Sequence, residues 1–523
     1  MASSNIGATS ATYNDVTRTN IKALSPDISA QIAKAKFIAI DTEFTGLVLS
    51  NASRVFGINT AEWVTRSSDM RDKYKAMANV AKTHALVSMG LSTFSIRHTR
   101  PGSYNVNNFN FLLQAQNSHL INPSSMSFLA ENGFDLVRQA TKGIRYFSGP
   151  NPHPVEVKTH AINMEGGLIR NVFLDVVRAR VPLIIHNGLF DLVYLYQSFF
   201  GPLPDTYDSF AHDLCEMFPG GIYDTKYIAE QLDPEAATYL AYLYHKNERI
   251  QKQREQRGEP ALSIKLRDPL SYGSSVPKVR FMDFLPENST TKPYCLQFAQ
   301  HGHCRLKDKC LGSHDINFIL DCQEREAAAV KQALVPEGMD TDETTVEDGA
   351  ADKKRKRDDA SVSENGSALP SKIIKAPVQS SLQQAASASA GNNDAICTDE
   401  QTAAETTPSL PLPLLVVNKN LNGQGGSADP LQNMYHTAAY DAFMTGYIFA
   451  AFRLELGDKV SDLKNKVYLM GKAGDPLLIK AGPYSKGSVT YRQTMKLLEP
   501  DIEKAPATTT AATTATKTAE SPG

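Results

Sequence analysis

Two sets of residues in this chain have the types and spacing to do chemistry. The first is acidic. In Lys36-Phe37-Ile38-Ala39-Ile40-Asp41-Thr42-Glu43-Phe44 an apolar run ends in two carboxylates one residue apart. Alternate side chains of a strand share a face, so Asp41 and Glu43 project together while Thr42 points away. Like charges held that close repel, and a hard divalent cation such as Mg²⁺ between them relieves the repulsion. A surface strand that runs out into solvent also ends in acids, so the case rests on further carboxylates. Asp191 follows His186-Asn187-Gly188 at the start of a helical pattern. Asp441 sits among Ala442, Phe443, Tyr447 and Ile448, apolar and helically spaced. A carboxylate there is partly desolvated and needs a partner, which a metal can be. The alternative is an exposed acid in a first helical turn, favoured by the macrodipole.

The second set is Cys295-x8-Cys304-x5-Cys310-x3-His314. Three thiolates and one imidazole make the donor set of a closed tetrahedral Zn²⁺ site, and three of the chain's six cysteines share this window. The spacing resembles CCCH zinc fingers, which typically bind single-stranded RNA. His301 and His303 break the register and are left out. Tyr294 and Phe298 offer faces for bases, and Arg305, Lys307 and Lys309 offer charge for phosphate. A purely structural finger is the alternative.

The elements that position these residues follow from periodicity. Ser25-Pro26-Asp27 reads as a helix start, with Ile28, Ile32 and Ala35 leading into the acidic strand. A helix is expected over Met70 to Ala81, and strands over Ala85 to Ile96 and Tyr104 to Leu113. Pro123 opens a helix with apolar positions Phe128, Leu129, Phe134 and Val137. Leu168 to Ala179 reads as a helix, Val181 to His186 as a central strand and Leu189 to Tyr196 as a helix. Strands interleaved with helices indicate an α/β layer fold. His186 reads as a structural residue at a strand end, and Asp224 as a turn or helix-cap acid. From Tyr244 to Pro286 the sequence is charged and aperiodic, a basic loop. The 523 residues, 41% of them hydrophobic, carry a net charge of −2 that says nothing about partners. Few cysteines argue against a disulfide scaffold and for a reducing compartment. No secretory signal and no bilayer-length apolar run is visible, so an intracellular, soluble protein without membrane partners is expected.

The order Asp-x-Glu, Asp, then His-x4-Asp resembles the DEDD 3′-to-5′ exonucleases of the ribonuclease H-like fold. His436 stands five positions before Asp441, so the chain resembles the branch with His there, and Tyr435 and Tyr440 are not its counterparts. Ile40 to Leu47, Leu183 to Leu192, Asp213 to Tyr227 and Tyr440 to Tyr447 resemble the deadenylases related to poly(A)-specific ribonuclease. The resemblance implies that Asp41 bridges two Mg²⁺ ions about 4 Å apart. Glu43 and Asp441 complete the shell of the first, Asp191 lies near the second, and His436 takes the proton of the attacking water. It also implies a poly(A)-preferring 3′-exoribonuclease that releases 5′-monophosphates. Nuclear members imply trimming of 3′ tails on small nuclear RNAs, in the nucleoplasm, Cajal bodies or nucleolus. The competing reading is an RNA-binding adaptor or growth regulator on a catalytically weak nuclease scaffold. A DNA proofreading exonuclease shares every catalytic residue, but the finger and the lack of a polymerase domain speak against it.

The expected organisation is a flexible arm (1–20), a first nuclease segment (21–248), a basic linker (249–289), the finger (290–318) and a disordered segment (326–426). A second nuclease segment (430–475) and a disordered tail (500–523) follow. The fold class is α/β, a ribonuclease H-like mixed sheet flanked by helices, with the finger and the disordered segment inserted. Lys353-Lys354-Arg355-Lys356-Arg357 reads as a signal for the nuclear import machinery. The expected partner is RNA with a single-stranded, adenosine-rich 3′ end. The expected cofactors are two Mg²⁺ and one structural Zn²⁺.

Overall fold

Two long strands, β4 (Leu86–Ile96) and β5 (Ser103–Ala115), pair antiparallel from Ser88↔Leu112 to Ile96↔Tyr104 and form the spine of an eight-stranded sheet. The computed structural model describes residues 10–11, 13–47, 69–97, 101–149, 160–232, 236–267, 279–280, 293–333, 437–469 and 477–502. On one side of the spine β3 (Phe37–Phe44) is antiparallel to β4 and parallel to β7 (Leu183–Ile185), which is parallel to β8 (Ile222–Asp224). On the other side three short parallel strands cover the edge of β5 in succession. They are β9 (Ser263–Leu266), β2 (Asn14–Val16) and β6 (Ile144–Tyr146). Two short pairs lie apart, β1 (Ser10–Ala11) with β10 (Val279–Arg280) and β11 (Lys466–Val467) with β12 (Leu477–Leu478). The expected mixed sheet flanked by helices is therefore present.

Alternation along β3 divides the core. Ile38 and Ile40 pack into the cluster on one face, built with α1 (Ile21–Ala33), α2 (Met70–Thr83), α5 (His160–Arg178), α6 (Leu189–Leu195) and α7 (Tyr207–Met217). Phe37 and Ala39 pack into the cluster on the other, with α8 (Thr225–Gln231), α9 (Leu240–Gln256) and α12 (Ala438–Leu456). The helices α3 (Pro123–Glu131) and α4 (Leu136–Lys142) follow β5, and α10 (Leu296–His301) and α11 (Ile316–Ala333) belong to the cysteine region. A last helix, α13 (Val489–Ile502), sends Leu498 into the first cluster.

Helix α12 is buried continuously from Ala438 to Phe452. A helix apolar all round has no solvent face to present and belongs in the interior. It lies across β3 and β4 because two glycines clear the way. A Cβ on Gly446 would fall 2.1 Å from the ring of Phe94, and one on Gly90 would fall 1.8 Å from the Ala438 carbonyl oxygen.

Several expectations need correction. Residues 14–16 of the expected arm are buried and paired with β5, because Val16 completes the core above Phe111. The first helix starts at Ile21, not at Ser25, and contains Pro26; the Ser25 hydroxyl donates to the Lys22 carbonyl, which Pro26 leaves without its amide donor (3.3 Å). The single helix expected from Pro123 is two, divided at Gly133 (φ +84°), where the Phe134 amide returns to the Leu129 carbonyl; Asp135 then caps α4. Only Leu129 of its expected apolar face is buried, and Phe128 and Val137 are exposed.

The expected basic linker is helical to Gln256 and then supplies β9, because Tyr242, Leu243 and Tyr244 give α9 a buried face that the charged surface pattern hides. Helix α11 continues to Ala333, past the expected start of disorder at 326. The second nuclease segment does not end at 475 but continues through α13. His436, the run 353–357, residues 334–426 of the expected disordered segment and tail residues 503–523 lie outside the described residues.

Replacing Gly446 by Ala is expected to lower stability by about 1–3 kcal/mol, the usual penalty of overpacking a core. The measurement is denaturant unfolding, and Phe94→Leu in the same chain should recover part of the loss.

Candidate active site

The parity that sends Phe37 and Ala39 toward α12 continues into Asp41 and Glu43. Both carboxylates therefore face α12. Asp41 pairs directly with Gly90 across the β3–β4 ladder, and the first turn of α12 rests on that glycine. Asp441 lies in that turn, with its amide bonded to the Thr437 carbonyl (3.0 Å), and is 9% exposed. Carboxylate oxygens of Asp41, Glu43 and Asp441 come within 4.8 Å of one another.

Asp191 flanks this trio from the other side of the strand. Its buried carboxylate accepts the Thr42 hydroxyl at 2.6 Å, so the residue that points away from Asp41 and Glu43 is the one that holds the fourth acid. The backbone reaches Asp191 through Asn187, which takes the left-handed conformation (φ 53°) at the end of β7.

Enclosure and mutual repulsion dominate the electrostatics. Burial, then the charges of Asp441, Asp191 and Glu43, push the Asp41 carboxyl well above the ordinary carboxylate range. Glu43 is raised by burial and then by Asp441 and Asp191. Burial raises Asp191 to about 6 despite the Thr42 hydrogen bond. Such a cluster is poorly solvated and, among the described residues, the charges that raise it are those of other acids, which is the condition a hard divalent cation satisfies.

The C-terminal ends of parallel β3, β7 and β8 lie along one sheet edge, where ligands gather in open α/β sheets. Asp224, fully buried, caps α8 as expected and does more. One oxygen accepts the amides of Asn187 (2.9 Å) and Lys226 (3.0 Å), and the other accepts that of Tyr468 (3.0 Å). Burial raises its carboxyl to about 6. His186 has its Nδ1 2.9 Å from the Thr225 hydroxyl, and burial with the nearby Lys226 pushes its pKa down to about 3. Lys226, which sequence reasoning passed over, donates to the Thr238 hydroxyl (2.8 Å) and stands 4.8 Å from the centre of the Tyr468 ring. Gly90 was missed as well, because a glycine inside a strand pattern signals close backbone approach without naming what approaches.

The cysteine window also converges. Ligand atoms of Cys295, Cys304, Cys310 and His314 lie within 4.8 Å of one another, and His314 Nε2 is buried without a hydrogen-bond partner. An imidazole with a buried, orphaned ring nitrogen, clustered with three thiols, fits a tetrahedral metal site. Phe298 is half-buried, with one face of its ring already taken. Its ring stacks on His314 (4.6 Å, 14°) and meets Tyr239 edge-on. The finger is braced against the nuclease body. Gly302 (φ 71°) passes so close to Tyr239 that a Cβ would lie 2.8 Å from its ring. Arg249 of α9 holds Asn317 and Asp321 of α11.

The chain belongs to the CAF1 family of ribonucleases, whose profile, described as CAF1 family ribonuclease, matches residues 16–166 and 154–449. It is 38% identical over 60 residues to the human poly(A)-specific ribonuclease PNLDC1, covering 12% of this chain and 11% of that protein. It is 28% identical over 144 residues to the Xenopus laevis poly(A)-specific ribonuclease PARN, covering 26% and 21%. These matches thus span only a small part of either relative. A solved structure of S. pombe Pop2p, in a Mg²⁺- and Mn²⁺-bound form, aligns at 20% identity and a TM-score of 0.33, covering 46% of this chain and 82% of that one.

The raised carboxyls set the pH dependence of the metal-free protein. Asp41 and Glu43 ionise near 4 when unfolded and at higher pH when folded, so the folded state holds more protons and loses stability as pH rises through that window. The melting temperature without divalent cations is therefore expected to fall between about pH 4 and pH 7. At pH 7 Asp41→Asn should raise it by about 2–4 °C while abolishing stabilisation by added Mg²⁺. Differential scanning fluorimetry with and without EDTA checks both, and a lower melting temperature for the variant would contradict the account.

Proposed function

We propose that the protein is a Mg²⁺-dependent 3′-to-5′ exoribonuclease that removes 3′-terminal adenosines and releases 5′-monophosphates. The observation that carries this reading is the meeting of Asp41, Glu43 and Asp441 within 4.8 Å, with Asp191 alongside. Family membership supports RNA as the substrate, and the names of the two relatives support an adenosine tail.

In this reading the four acids would hold two Mg²⁺ ions, whose chemistry would be acidification of a water and counter-charge for the leaving 3′ oxygen. The chain's own contribution is preorganisation. Strand β3 and helix α12 hold three carboxylates in place before substrate arrives, and the Thr42 hydroxyl orients the fourth. His436, next to the Thr437 cap of α12, accepts the proton of the attacking water, a task suited to an imidazole titrating near neutrality. Lys226 places a positive charge on the same sheet edge for the phosphate backbone. Cys295, Cys304, Cys310 and His314 hold one Zn²⁺, which keeps the finger folded against α9. The substrates in the cell are the 3′ tails of small nuclear RNAs. Nuclear residence is supported by the run from Lys353 to Arg357, and a cytoplasmic distribution of a chain with that run intact would remove this element of the reading.

The test incubates the full chain with 3′-adenylated RNA and with matched DNA, in Mg²⁺ or EDTA. The unaltered protein should shorten the RNA only in Mg²⁺, and Asp41→Ala and Asp441→Asn should each slow it by about 10³-fold, roughly 4 kcal/mol of barrier. Equal shortening by all three proteins overturns the site; RNA binding without shortening favours the adaptor reading. Elemental analysis should find about one zinc per chain, lost in Cys304→Ser, as the four-donor site requires. Zinc retained in that variant would contradict the ligand set.

A further inference from the structure

The segment after Lys464 carries a chemistry that neither the acids nor the finger uses. We propose that the turn Gly482-Pro483-Tyr484-Ser485, with Lys480 and Lys486 on its two arms, is a contact surface for the body of a single-stranded RNA upstream of its 3′ end. The inference rests on the exoribonuclease reading above.

The segment starts at the site. Tyr468 donates its amide to Asp224 and lies under the Lys226 ammonium, on the sheet edge that carries the acids. From there β12 leads the chain away to the turn. Pro483 and Tyr484 occupy its two corners, and it is closed by the Ser485 amide and hydroxyl, both donating to the Gly482 carbonyl (3.1 and 2.8 Å). Tyr484 at the tip is 95% exposed. Lys480 and Lys486 are exposed on either side, and Arg492 donates to the Gly487 carbonyl, which sets its charge next to Lys486. Between Lys464 and Lys496 the sequence carries seven positive charges, at Lys464, Lys466, Lys472, Lys480, Lys486, Arg492 and Lys496, against one negative, Asp475. An aromatic face between cations matches a base between phosphates.

The turn is also held firmly. Asp213, fully buried, accepts the Ser488 amide (2.9 Å) and the Tyr196 hydroxyl (2.8 Å). The Tyr491 ring stacks on Phe200, and the Cys215 thiol donates to the Ile479 carbonyl. A preformed surface loses less ordering entropy on binding than a loose tail.

The test uses the full chain and two RNAs with the same 3′ end, one of about four nucleotides and one of about sixteen, the two ends of the range of single-strand site sizes. Without added Mg²⁺, combining Lys480→Ala, Tyr484→Ala and Lys486→Ala should weaken binding of the long RNA about tenfold or more, while Tyr484→Phe retains it. The slope of log affinity against log salt should become shallower by about 1.4, two phosphate contacts at ~0.7 each. Mg²⁺-dependent shortening of the short RNA should be unchanged. Unchanged affinity for the long RNA, no binding of it by the unaltered chain, or an equal loss for both lengths overturns the proposal. If the unaltered chain shortens neither RNA but the long-RNA difference persists, the exoribonuclease reading fails and the RNA surface stands.

Discussion

Repulsion among carboxylates is the constraint around which this molecule is arranged. Asp41, Glu43 and Asp441 cannot approach within 4.8 Å unless something forces them together, because each raises the energy of ionising the next. The force comes from apolar packing. Helix α12 is buried on every side, and its contacts with Phe37, Phe94 and Tyr244 hold its first turn against β4. The hydrophobic effect, non-directional in itself, thus holds in place an arrangement of charge that is unfavourable until a cation joins it.

Buried carboxylates recur in a second role, as fasteners of backbone. Asp224 gathers amides from the ends of β7 and β11 and the start of α8, and Asp213 gathers Ser488 and Tyr196. Both hold the segment after Lys464 to the body. An acid accepting several amides keeps its place in the interior because its lone pairs are satisfied. The finger is fixed by the same kind of bond in reverse, with Arg249 as the donor to α11.

Much of this was legible in the sequence. The alternation of β3 was enough to put Asp41 and Glu43 on one face, and the apolar surroundings of Asp441 announced its burial. The cysteine spacing led directly to four converging ligands. What could not be read was contact between distant segments. Nothing near Gly90 shows that α12 will rest on it, and nothing near Thr42 shows that its hydroxyl will hold Asp191. The helical face of α9 was hidden because Lys246, Arg249, Lys252 and Arg254 mask a stripe of buried residues that includes Tyr244, Asn247 and Gln251, two of them polar. Pro26 and Gly133 misled in opposite directions, one tolerated inside a helix and one ending it.

The placement of α12 has a consequence for the birth of the protein. The sheet face that it covers, with Phe37, Ala39, Phe94 and Val106, is synthesised long before Ala438 leaves the ribosome. Until then the nascent chain carries a bare greasy surface and an incomplete acidic pocket, and neither closes until Ala438 to Phe452 has been made. Contacts of such long sequence separation form late and slowly. A polypeptide cut short after α11 would therefore lack one of the converging carboxylates and leave bare the aromatic wall that α12 covers, so quality control and completion of the acidic pocket hinge on the same helix.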